Sequence, residues 1–156
     1  MVTIRPAVPA DLDAVVRLSA VLFREDSGRR DATVDQDWPA REGAAYFGAV
    51  LGRDDARLLV ADAGGVVVGY AAGRLSGRSA LSLVPIATLE SIAVHPSSRG
   101  RGVGAALAEA LIAWAQDRGA AQIRVTAYAA NDGAIRLYRR LGFTPHELTL
   151  FRPLAE

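Results

Sequence analysis

The chain has 156 residues, 51% of them hydrophobic and 22% charged, and carries a formal charge of +1. That length suits one domain rather than two, the apolar content excludes a disordered chain, and so small a charge excludes nucleic-acid binding driven by bulk electrostatics. With no Cys and two His, the chain has no disulfide, no thiolate metal site, no cysteine nucleophile and too few His for a His-rich metal centre.

No apolar run reaches the roughly 18 residues a membrane span needs. The opening residues MVTIRPAVPADLD lack the basic, apolar and small-residue pattern of a signal peptide. The expectation is a single cytoplasmic domain over residues 1–156, with no metal, nucleic-acid or membrane partner. All 18 basic residues are Arg, which together with the Ala-rich background reads as GC-rich coding.

Along the chain, Val2–Arg5 reads as a short strand closed by Pro6. A helix follows from Pro9 to Leu22, with Leu12, Val15, Val16, Ser19 and Leu22 on one face and acids in the first turn. Residues 24–37 turn polar and read as a loop. Its acids Glu25, Asp26, Asp31, Asp35 and Asp37, with Glu42 just beyond, would attract a cationic amine, but Arg24, Arg29, Arg30 and Arg41 interleave with them, which favours a solvated segment. A helical pattern resumes from Trp38 to Leu51. Arg57–Ala61 and Val66–Ala72 are strands joined by Asp62-Ala63-Gly64-Gly65, a hairpin turn signal. Thr88–Val94 is a further strand, stopped by Pro96.

After the glycines at 100–104 comes a helix with Val103, Leu107, Leu111 and Trp114 on one face and Gly119 as its stop. Gln122–Ala127 is a strand, Asn131–Leu141 a helix closed by Gly142, and Glu147–Phe151 a last strand. Strands and helices in this order form a mixed α/β domain around a central sheet.

The main chemical signal runs from strand into helix as Val94-His95-Pro96-Ser97-Ser98-Arg99-Gly100-Arg101-Gly102-Val103-Gly104-Ala105. Glycines let backbone N–H groups approach a ligand, a helix N-terminus adds partial positive charge, and Arg99 and Arg101 add charged donors. The combination suits a pyrophosphate; a turn needed only for chain geometry is the plainer alternative. A Rossmann site is rejected, because the strand Gln122–Thr126 offers no acid for a ribose. A P-loop is excluded by the absence of Lys, and a hydrolase elbow by the absence of G-x-S-x-G.

Three segments together resemble the GCN5-related N-acetyltransferases, the GNAT family. Arg99–Gly104 matches the Q/R-x-x-G-x-G/A signature. Leu89-Glu90-Ser91-Ile92-Ala93-Val94-His95-Pro96 is similar to the family's fourth strand. Residues 131–143, Asn131 to Phe143, are similar to its closing helix, N-x-x-A-x-x-L-Y-x-x-x-G-F. The resemblance implies a mostly antiparallel mixed sheet flanked by four helices, its fourth and fifth strands splayed apart.

It also implies an enzyme that moves an acetyl group from acetyl-CoA to a primary amine in a ternary complex. A non-catalytic acyl-CoA-binding module of the same fold is the alternative. By the same resemblance, the amides of Arg99, Gly100, Arg101, Gly102, Val103 and Gly104 would hold the CoA pyrophosphate. The backbone along Ile92, Ala93 and Val94 would pair with the pantetheine arm. Asn131 would lie near the cofactor, although it is equally a helix N-cap.

Tyr138 would protonate the departing thiolate, or else be a core aromatic on the stripe of Ile135 and Leu141. Glu90 is the candidate general base; strand alternation puts it on one face with Ile92 and Val94. His95, beside Pro96, reads as structural. A homodimer through the C-terminal strands is a further expectation from the family. The acceptor amine is not legible.

Overall fold

The computed structural model describes residues 1–155. Strand β1 is Thr3–Pro6, and helix α1, Leu12–Leu22, follows a 3-10 turn at Pro9–Asp11. The first half of the segment expected to be a polar loop instead continues helically, as a π-helical turn at Phe23–Ser27 and one further turn, α2, at Gly28–Arg30, while residues 31–37 form the loop expected. The polarity of the first half misleads because its carboxylates bond protein groups, described below, rather than water alone. Then come α3 (Trp38–Val50), β2 (Ala56–Ala63), β3 (Val66–Ser76), β4 (Ile86–Val94), α4 (Val103–Asp117), β5 (Gln122–Val125) and α5 (Asp132–Arg140).

The five strands lie in sequence order in one sheet, antiparallel from β1 to β4, with β4 and β5 parallel. Alternation along β2 divides two cores. Leu59 and Ala61 face α4, packing with Leu107, Ala108, Leu111 and Tyr138, while Leu58 and Val60 face α1 and α3, packing with Val15, Leu18 and Phe47. Helix α4 sits directly on β3, where a Cβ built on Gly73 would lie 2.8 Å from Leu111. Leu107 and Leu111 are fully buried, each contributing roughly 2 kcal/mol of transfer free energy.

Two irregularities shape the site. Strand β5 pairs with β4 only from Ile86↔Gln122 to Leu89↔Val125, so β4 runs on alone from Glu90 to Val94 on that side. On its other side β4 carries a β-bulge: Ala72 pairs with Ser91 and Gly73 with Leu89, leaving Glu90 as the extra residue.

The strand expected at Glu147–Phe151 does not form. That stretch joins no ladder, and Leu148, Leu150 and Phe151 are 77%, 83% and 87% exposed. Its alternating pattern meets no sheet edge within the chain. Among the described residues no helix is long and apolar enough to cross a membrane.

Candidate active site

The gap between β4 and β5 has an unpaired wall. His95 donates its N–H to Val68 C=O at 2.7 Å, so along the antiparallel ladder the odd-numbered residues of this stretch turn their main chain toward β3. Ile92 and Val94 turn theirs toward the gap. Ala93 is therefore set apart from its neighbours: its main chain faces β3 and its methyl lies in the α1/α3 core. The expectation that all three residues line the gap is corrected to Ile92 and Val94.

At the end of β4 the chain turns into α4. His95 organises the turn, its Nδ1 accepting from the Ser97 N–H at 3.2 Å and lying 2.8 Å from Ser97 Oγ. Gly100 and Gly102 have φ of +77° and +79°, a left-handed conformation that costs other residues about 1 kcal/mol or more. This turn points the first amides of α4, which have no intrahelical acceptor, out of the fold. A Cβ on Gly104 would lie 3.7 Å from both Val94 and Leu137, so β4, α4 and α5 converge at this point. Arg101 is exposed, and its guanidinium makes no hydrogen bond or ion pair among the described residues.

The π-helical segment crosses from α1 to this region. Glu25 pairs with Arg99 at 2.7 Å, and Arg99 Nε also donates to Val94 C=O at 3.0 Å. Asp26 accepts from Asn131 Nδ2 at 3.1 Å and from Arg30 at 2.8 Å. Asn131 also accepts from the Ala134 N–H at 3.1 Å, so it caps α5 while holding this segment. Tyr138 lies in the α4 core with its ring 5.7 Å from Phe143. Burial, and then the Asp26 charge, push its phenol up to about 12.

Glu90 lies elsewhere than alternation alone predicts. The bulge flips the parity of β4, so Ile92 and Val94 pack on the α4 side, while Glu90 and Ser91 line a cleft on the α1/α3 side. That cleft holds about 590 Å³ and includes Phe23, Trp38, Tyr46 and Tyr70. Tyr46 donates to Glu90 Oε2 at 2.6 Å, and Arg74 lies 3.2 Å from Glu90 Oε1. Burial, and then the bond to Glu90, push the Tyr46 phenol up to about 12, so it remains a donor to the carboxylate. Tyr46 and Arg74 could not be assigned from sequence, because the fold alone brings them to Glu90.

The acetyltransferase (GNAT) family profile matches residues 13–143. The chain belongs to this family. It is 33% identical over 158 residues to the mycothiol acetyltransferase of Pseudarthrobacter chlorophenolicus, covering 99% of this chain and 46% of that one. The match to the streptothricin acetyltransferase of Streptomyces lavendulae is 31% over 150 residues, covering 89% and 79% respectively. An aminoglycoside N-acetyltransferase solved in complex with CoA superposes with a TM-score of 0.76 at 23% identity, covering 98% of this chain and 94% of that one. The last shows a shared fold. The chain spans about half the length of the curated relatives it matches first, 46% in each of two cases.

Within this GNAT fold, Ile92, Val94 and Tyr138 belong to the α4-side core, Gly104 lies against Val94 and Leu137, Arg99 bonds Val94, and Asn131 caps α5. Glu90 approaches from the cleft on the opposite face of β4.

Proposed function

We propose that this chain transfers an acetyl group from acetyl-CoA to a primary amine by direct attack in a ternary complex. The β4 edge that β5 leaves unpaired at Ile92 and Val94, where the Val94 carbonyl is held by Arg99, lies beside the free amides at the start of α4 and carries the reading. An extended amide-bearing arm fits such an edge through main-chain hydrogen bonds, and a diphosphate fits the amides, the helix dipole and Arg101. Acetyl-CoA has both parts and supplies the activated acyl group.

The protein's residues then have separable roles. Glu90 accepts the proton of the incoming ammonium, and the Tyr46 hydrogen bond and Arg74 orient its carboxylate. Backbone N–H groups near Ile92 stabilise charge on the carbonyl oxygen. Tyr138 serves the leaving sulfur. A phenol near 12 is a weaker acid than an ordinary thiol at about 8.5, so its main contribution is a hydrogen bond to the developing thiolate. As the C–N bond forms and the C–S bond breaks, the amine nitrogen gives up its second proton, which leaves CoA as the free thiol and Tyr138 as the neutral phenol. With no Cys in the sequence, an acyl-cysteine intermediate plays no part.

The reading extends to a homodimer through the C-terminal tail, whose Leu148, Leu150, Phe151 and Leu154 are exposed.

The test is a panel of primary amines with acetyl-CoA, followed by thiol release, with acetyl-CoA binding measured separately by calorimetry. Amine-dependent thiol release supports the transferase. Intact acetyl-CoA binding with no response to any amine replaces it with the binding-module reading.

A further inference from the structure

The cleft beside Glu90 is built differently from a site for polyamino sugars. Its wall is a connected set of rings: Phe23 stacks on Trp38 at 5.7 Å, Tyr46 meets Trp38 edge-on at 5.3 Å, and Phe47 meets Tyr70 at 5.5 Å. Two carboxylates line it, and both have partners. Asp35 is bound to Arg41 at 2.8 Å and to the Asp37 N–H at 2.9 Å, and Glu90 is held by Tyr46 and Arg74. A polycation entering here would have Glu90 for one ammonium only and would set its other ammonium and hydroxyl groups against aromatic faces, at a large desolvation cost.

Tyr70 is fully buried, and Ser19, Glu90 and Ser91 are the polar groups on the α1 and β4 walls of the cleft. A single ammonium can donate to Glu90 and to Ser91 Oγ. A flat apolar body joined to it would lie on the rings, and the ammonium itself gains from the nearby π faces.

We infer that the acceptor is a monoamine carried by a short chain on an aromatic body, bound between α1, α3 and β4. The inference rests on the transferase reading for turnover, but not for binding.

The probes are tyramine and phenethylamine against kanamycin and glucosamine. Each is assayed by thiol release with acetyl-CoA, and, without acetyl-CoA, by calorimetry and quenching of tryptophan fluorescence. The arylalkylamines should bind roughly tenfold or more tightly than the sugars and be turned over with the lower KM. Trp38→Leu should abolish the quench and raise their KM about tenfold. Preference for kanamycin or glucosamine overturns the inference and leaves the transferase reading standing. If no amine is turned over, the transferase reading fails, and the binding arm decides alone: tyramine bound and lost in Trp38→Leu upholds the cleft, and no tyramine binding refutes it.

Discussion

Tyr138 and Glu90 can be separated because each has a substitution that leaves its packing intact. Tyr138→Phe keeps the ring that meets Phe143 edge-on at 5.7 Å, so folding and acetyl-CoA affinity should change little. Turnover should fall by about 10²–10³, the usual cost of losing a hydrogen-bond donor to charge that develops in the transition state, with kcat and kcat/KM falling together. The phenol near 12 deprotonates beyond the range of an assay, so the alkaline limb of the rate profile should stay in place in the Phe variant. A normal kcat would reduce Tyr138 to a core aromatic. Glu90→Gln retains an oxygen for the Tyr46 hydroxyl and so keeps the local structure. If Glu90 is the base, kcat/KM should drop by about 10²–10³; an unaltered kcat/KM would transfer the role to water or another group. The sequence named Glu90 but misjudged its face, because alternation holds only while a ladder is regular, and a bulge shows itself in pairing between β3 and β4, not in the order of residues in either.

At the scale of elements, what was legible was whatever local chemistry decides. The strand–turn–helix from β4 to α4 could be read because positive-φ positions need glycine, and α5 because Asn131 and Gly142 punctuate it. In the segment 24–37 the loop from Asp31 onward was legible, but the helical turns up to Arg30 were not: they are held by Arg99 and Asn131, partners 74 and 105 residues away. If the turn at 100–104 binds the diphosphate, Gly102→Asp should abolish acetyl-CoA binding in calorimetry, since it sets a carboxylate among the amides. A Cβ there meets nothing within 4 Å, so the folded state should survive at a cost of about 1 kcal/mol for the left-handed φ; unchanged affinity would remove the turn from the site. Element docking also has a titratable clamp. Asp11, 6% exposed, takes two bonds from Arg5, at 2.8 and 3.0 Å, and the Val8 N–H at 2.8 Å, tying β1 to the start of α1. The Arg5 hydrogen bonds hold its carboxyl below the ordinary range. Its contribution is therefore full above the unfolded value, near 3.9, and is lost as pH falls through the lower folded value. Asp11→Asn should cost about 2 kcal/mol at neutral pH, and denaturant midpoints should show the gap to wild type closing only below roughly pH 4.

For the whole molecule, the unsolved surface is the C-terminal tail. Its four large apolar side chains, Leu148, Leu150, Phe151 and Leu154, are 77–92% exposed, and water is a poor final environment for so much apolar surface on one short segment. Leu148 and Leu150 would share a face in a strand, while β5, last in the sheet, presents an edge that no strand among the described residues occupies. A segment patterned as a strand and an open edge are complementary, and we predict that a second copy supplies the missing partner in each direction, in a closed two-fold exchange. Light scattering should therefore return twice the 16.4 kDa chain mass. Leu148→Asp with Leu150→Asp separates this from a tail that is simply exposed. In a monomer these side chains touch so little that the double variant should shift stability by no more than about 0.5 kcal/mol. In an exchanged dimer it buries two carboxylates per tail, so the mass should fall to that of one chain and the melting temperature should lose its dependence on protein concentration. A wild-type mass of one chain across the micromolar range would leave the tail unpaired and end the dimer reading.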